Sequence, residues 1–227
     1  MNSKKNLCIC IPSGRFVDFG FFKSITNNLG SIMLQWNTVT LTVASPMIFA
    51  NRNELLRKAF ALEEKTPGFL IDYMLWIDND IVFDFEQVKK LISHLENGKD
   101  FISGTYFNPL NDGIKPVAYW KDNEKEGRYK WLEEKELNSL MEVDAVGFGF
   151  CAMKMDLVRR VANKFNPRPF DLRNLENGGL VTEDQIFCER AKELGYKIFL
   201  DSDLVVKHAK GYLPQPFSFS YKEKEKR

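Results

Sequence analysis

Two aspartates stand one residue apart in Leu75-Trp76-Ile77-Asp78-Asn79-Asp80. The residues before them, Tyr73 to Ile77, form an unbroken apolar run of the kind that makes a strand buried on both faces of an α/β sheet. Open α/β sheets bind ligands at the carboxyl ends of such strands. Paired carboxylates placed there repel each other and resist desolvation unless a cation joins them. A hard divalent ion, Mg²⁺ or Mn²⁺, suits oxygen ligands shared with the phosphates of a substrate.

Four further groups of residues bear on chemistry. Thr182-Glu183-Asp184 opens a helix, with Gln185 placed as in a capping box. Carboxylates at a helix N-terminus are favoured by its dipole, which serves structure and also keeps a general base ionised. His208 follows a strand and can offer an imidazole to a metal, whereas His94 falls on a helix beside Leu95 and reads as a packed or solvated residue. Arg52, in Asn51-Arg52-Asn53, stands ahead of a helix where a cation opposes the dipole; contact with a nucleotide or plain exposure to water both account for it. Gly147 and Gly149 allow a backbone to approach a ligand closely. Neither GxGxxG nor a Walker A loop occurs, so a dinucleotide site is not expected.

In order and spacing these pieces resemble the glycosyltransferases of the GT-A fold, in particular the broad family 2-like group that includes small virus- and phage-encoded catalytic domains. Trp76-Ile77-Asp78-Asn79-Asp80 matches the DxD motif. Val146-Gly147-Phe148-Gly149-Phe150 matches the glycine-bearing acceptor-side segment, Thr182 to Phe187 the "ED" helix start, and His208 the late metal-binding histidine. The resemblance implies a single α/β catalytic domain over residues 1–220 with a mixed, mostly parallel central sheet. It implies a nucleotide-sugar donor, most often UDP-linked, and a glycan, protein or small-molecule acceptor. Pro12, Ser13, Gly14 and Arg15, with Arg52, would hold the nucleoside, and Asn79 and Gly147 join them as cofactor-binding candidates. Asp78 and Asp80 would reach ribose and a Mn²⁺ or Mg²⁺ ion, His208 completing the metal shell. Asp184 would be the base of an inverting transfer, with Glu183 the next candidate. The Gln-x-x-Arg-Trp motif of processive synthases is missing, since Gln185 is not followed by Arg-Trp.

The elements that must position these residues alternate. Strands are expected at Leu7–Ile11, Thr38–Ala44, Met74–Ile77, Phe101–Ser103, Lys197–Leu200 and Leu204–Val206. Helices are expected at Phe19–Leu29, Asn51–Glu64, 84–96, 157–165 and from Thr182 to Leu194. Residues 110–142 read as an irregular insertion or β-ribbon, where Trp120 and Trp131 either stack on an acceptor sugar or fill a local core. The Lys/Glu tail 221–227 reads as a frayed, solvated end.

Composition narrows the classes. The 227 residues carry 32 Lys+Arg against 31 Asp+Glu, a net charge of +1, so no global field attracts nucleic acid or an anionic membrane. No run reaches the roughly 18 apolar residues of a membrane span. The apolar run Leu7–Ile11 is too short for a signal-peptide core. Cys8, Cys10, Cys151 and Cys188 have no CxxC spacing and read as buried thiols in a reducing compartment. The expected location is therefore cytoplasmic, that of the host if a virus or phage encodes the chain. Two rival functions are a nucleotidyltransferase acting on a sugar phosphate, for which Pro12-Ser13-Gly14-Arg15 is a poor substitute loop, and a non-catalytic nucleotide- or carbohydrate-binding module.

Overall fold

A computed structural model describes residues 4–110, 113–122, 128–176 and 178–209. Its first half runs β1 (Asn6–Ser13), α1 (Phe19–Gln35), β2 (Asn37–Ala44), α2 (Ile48–Lys65), β3 (Tyr73–Ile77), β4 (Ile81–Val82), α3 (Phe85–Glu96) and β5 (Phe101–Thr105). Short strands follow: β6 (Phe107–Leu110), β7 (Gly113–Pro116), β8 (Ala118–Lys121), β9 (Tyr129–Trp131), β10 (Leu140–Val143) and β11 (Ala145–Val146). The last part holds β12 (Phe150–Lys154), α4 (Met155–Lys164), β13 (Arg173–Asn174), β14 (Leu180–Val181), α5 (Glu183–Glu193), β15 (Ile198–Val205) and β16 (Lys207–His208).

Seven strands form the central sheet in the order β10-β15-β5-β12-β3-β1-β2. β1 pairs in parallel with β2 and β3, and β15 with β5, while β12 and β10 run antiparallel to their neighbours. The alternation of side chains along β1 divides the core. Leu7, Ile9 and Ile11 face the side covered by α1 and α3; Cys8 and Cys10 face the side covered by α2, α4 and α5. The two thiols lie 3.7 Å apart, on one face as their spacing predicts. Both expected capping boxes are present. Gln87 N donates to Asp84 Oδ1 at 2.8 Å and Asp84 N to Gln87 Oε1 at 2.8 Å, and at the later helix Thr182 N donates to Gln185 Oε1 at 3.1 Å.

The boundaries differ at three places. α1 passes through Gly30 to Gln35, because burying Ile32 and Trp36 outweighs the roughly 1 kcal/mol that a mid-helix glycine costs. α2 begins at Ile48, a turn before the expected start, so Arg52 is its fifth residue and does not precede it. The two late strands are one, β15, with a register shift between Asp201 and Val205. The 110–142 region is built from ribbons: a β6–β7 hairpin and the three-stranded β11-β8-β9 sheet. His94, read as packed or solvated, bonds Asp201 through Nε2 at 2.8 Å and so ties α3 to β15. The tail 221–227 and the expected boundary at 220 lie outside the described residues. Among the described residues no helix is long and apolar enough to cross a membrane.

Candidate active site

The carboxyl ends of the parallel strands β1, β2 and β3 open onto a cavity of about 460 Å³. Pro12, Ser13 and Gly14 line it from the end of β1, and Asp78, Asn79 and Asp80 from the end of β3. α2 contributes Asn51 and Arg52, the start of α5 contributes Thr182, Glu183 and Asp184, and β16 contributes His208. Chain segments more than a hundred residues apart therefore meet at one place. Arg15 and Gly147 are not part of this lining.

Arg52 is the structural centre. Its side chain is 1% exposed, so exposure to water does not account for it. Nη2 lies 3.3 Å from Asp78 Oδ1, and Nε lies 3.4 Å from Glu183 Oε1 and 3.2 Å from Asp184 Oδ1. The guanidinium carbon stands 5.6 Å from the Trp76 ring centre and 5.2 Å from that of Phe148, an aromatic floor that compensates part of the lost hydration. Burial opposes its charge, yet the carboxylates of Asp184, Asp78 and Glu183 hold its pKa above the usual range. Asp184 responds to burial in the other sense. Burial pushes its carboxyl well above the ordinary value, Arg52 pulls it back, and Glu183 and Asp78 push it up again. Both values rise: for Arg52 the three acids together outweigh burial, and for Asp184 burial outweighs the one guanidinium. Burial thus outweighs the place of Asp184 at the N-terminus of α5 in setting its proton affinity. Asp184 Oδ2 also accepts from Phe148 N at 3.2 Å, which fixes its direction.

Asn79 serves the loop beside it. Its Nδ2 donates to Ser13 Oγ at 2.9 Å and to Phe16 O at 2.7 Å, and its carbonyl accepts from Asp18 N at 3.1 Å. The glycines answer to a tyrosine. A Cβ at Gly147 would collide with Tyr106 Oη and lie 2.6 Å from Val117 Cγ1, and one at Gly149 would lie 2.7 Å from Tyr106 Cζ. The space that the sequence reserved for a ligand is thus taken by Tyr106, whose hydroxyl accepts from Gly149 N at 3.0 Å. Tyr106 lines the cavity, as do Tyr119 and Asn108, none of which sequence reasoning singled out. Tyr106 directly follows the buried strand β5, so the strand-end rule that picked out Asp78 also points to it. Trp120 and Trp131 are elsewhere: Trp120 Nε1 donates to Glu136 Oε1 at 3.2 Å, and Trp131 packs on Tyr119 with ring centres 4.7 Å apart.

β4 and β16 pair antiparallel, with His208 opposite Ile81, and this brings His208 Nε2 to 3.4 Å from Asp80 Oδ2. His208 Nδ1 lies 3.3 Å from Phe107 O. A carbonyl only accepts, so that contact places a ring proton on Nδ1 and turns Nε2 toward Asp80. Among the described residues no three His, Cys, Asp or Glu side chains gather closely enough to hold a metal unaided. A carboxylate and an imidazole, with substrate phosphates supplying the remaining oxygens, nevertheless fit the donor set of Mn²⁺ or Mg²⁺.

The sequence matches no family profile and no curated protein. Solved structures do share its architecture. A197 from STIV superposes with a TM-score of 0.51 at 21% identity, over 87% of this chain and 82% of that one. GalNAc-T7, solved with UDP, GalNAc and Mn²⁺, superposes with a TM-score of 0.55 at 10% identity, over 95% of this chain and 45% of its own. The fold is GT-A. The chain spans less than half the length of GalNAc-T7, and at these identities the likeness speaks for the fold alone. The 4-diphosphocytidyl-2C-methyl-D-erythritol synthase of Anaerococcus prevotii DSM 20548 is a looser match, with a TM-score of 0.46 at 13% identity over 90% of this chain and 89% of that one.

Proposed function

We propose that the protein is a metal-dependent glycosyltransferase that moves a sugar from a nucleotide-sugar donor, UDP-linked by preference, to an acceptor hydroxyl with inversion. The observation that carries this reading is the meeting of Asp78, Asp80, His208, Glu183 and Asp184 around one cavity at the strand ends of a GT-A fold. The strand-end acids with His208, together with Glu183 and Asp184 on the same cavity, argue against a non-catalytic binding module.

Asp80 and His208 would hold the metal, which neutralises charge on the departing diphosphate when bound. The strand-end residues Pro12, Ser13 and Gly14 would face the nucleoside. Asp184 takes the proton from the acceptor hydroxyl. That oxygen bonds to the anomeric carbon as the bond from this carbon to the diphosphate oxygen breaks, and the nucleoside diphosphate leaves with the electron pair. Attack from the face opposite the leaving group inverts the centre.

The test is a panel of sugar nucleotides incubated with Mn²⁺ or Mg²⁺, scored for nucleoside diphosphate release with and without a chelator. Chelator-sensitive release of UDP supports the reading. Release of pyrophosphate would replace it with nucleotidyl transfer, and thermal stabilisation by UDP without turnover of any donor would replace it with a binding module.

A further inference from the structure

α1 departs from the pattern of a surface helix. One side packs on the core through Phe21, Ser24 and Ile32, and the other faces outward, where charged residues are the rule. Lys23 alone of its 17 residues is charged, whereas at the chain-wide share of 28% about five would be expected. The outward side instead shows Phe19, 77% exposed, and Phe22, 54% exposed, and the loop before it adds Phe16, 81% exposed, with Val17. The rings of Phe19 and Phe22 stand 6.5 Å apart. At the usual surface of an aromatic side chain the three rings present on the order of 400 Å², the size at which an apolar patch marks an interaction site.

The patch is held firmly and rimmed by cations. Asp18 caps α1 by accepting from Gly20 N at 2.7 Å and Phe21 N at 3.3 Å. It is the sole carboxylate between residues 14 and 35, and it is turned to the helix amides. Arg15 lies 5.8 Å from the Phe16 ring centre, Lys23 follows Phe22, and at the far end of α1 Lys4 Nζ donates to Leu34 O at 2.5 Å.

We propose that this face docks on an anionic lipid bilayer, with Phe16, Val17, Phe19 and Phe22 entering the interfacial layer and Arg15 and Lys23 at the level of the lipid phosphates. Aromatic side chains beside cations are the chemistry that a headgroup region accepts. The chain's net charge of +1 gives no general attraction, so the contact is local to this patch. A second copy of the chain is a poorer occupant, because the face carries Arg15 and Lys23 while its one carboxylate, Asp18, is turned to the helix amides, so two such faces would oppose like charges. This inference is independent of the reaction proposed above.

The experiment is flotation of the full chain with phosphatidylcholine vesicles made with and without phosphatidylglycerol. The wild type floats with the anionic vesicles. Phe19→Asp with Phe22→Asp, two exposed positions outside the cavity, lowers the bound fraction at least about tenfold while the melting temperature stays unchanged. Lys23→Gln weakens binding more at low salt than at high salt. Failure of the wild type to float, or equal flotation of the double variant, overturns the proposal. So does a wild-type dimer by light scattering that the double variant dissolves, which would assign the patch to a second copy.

Discussion

Arg52→Met removes the cation that lies between Asp78, Glu183 and Asp184 while leaving a side chain of similar length on the Trp76 and Phe148 rings. It deletes three ionic approaches of 3.2–3.4 Å made by a side chain that is 1% exposed. Breaking a buried ion pair by removing one partner costs on the order of 3–5 kcal/mol, because the other charge is left uncompensated. Favourable packing of the methionine sulfur against the rings offsets about 1 kcal/mol. A net loss of about 3 kcal/mol is expected, or a fall of about 6–12 °C in melting temperature for a chain of this size. Urea unfolding at neutral pH, read by circular dichroism, measures it directly. The same substitution made in a background of Glu183→Gln and Asp184→Asn should cost less, since there two of the three charges that need Arg52 are gone and Asp78 alone remains. An Arg52→Met protein as stable as wild type, or an equal loss in both backgrounds, would refute the view that Arg52 exists to compensate these acids.

Asp184→Asn should lower transfer to an acceptor by about 10²- to 10⁴-fold and leave UDP binding by calorimetry nearly intact; loss of both would move Asp184 into the donor site. Asp80→Ala should abolish the Mn²⁺ dependence of UDP binding, and an unchanged metal titration would count against Asp80 as a ligand. Gly147→Ala forces a Cβ into Tyr106 and Val117 and should destabilise the protein by about 1–3 kcal/mol, an increment that should be smaller when measured in a Tyr106→Ala background. Asp201, nearly buried, accepts from His94 and ion-pairs with Lys90 at 2.9 Å. Burial alone would raise its carboxyl, but the bonds from Lys90 and His94 hold it below the ordinary value. Its contribution is therefore present above about pH 4 and lost as the pH falls through the depressed folded value, so Asp201→Asn should flatten the acid limb of a stability–pH curve.

The site residues that are legible in the sequence share a local signature. Asp78 and Asp80 end an apolar run that only a buried strand explains, and Glu183 and Asp184 sit inside a capping pattern four residues long. Arg52 stands out for breaking a helix rule, but its role is invisible in the sequence because its partner Glu183 is 131 positions away. The start of α2 is hidden for a related reason: its cap, Met47, makes no side-chain bond to announce it. Gly147 and Gly149 read as room for a ligand, since nothing near them in sequence names Tyr106 as the occupant. Residues 110–142 show no periodicity because their strands are three or four residues long, too short for a pattern of period two to stand out.

The Asn79 side chain ties the cavity to the apolar loop, whose Phe16 belongs to both. Its amide holds Phe16 and Ser13, and its backbone carbonyl holds Asp18, while its neighbours on either side are the strand-end acids. A ligand that displaces the 78–80 turn must displace the apolar loop with it. Occupancy of the cavity and occupancy of the loop face are then coupled equilibria, and thermodynamic reciprocity requires that each alter the other's affinity by the same factor.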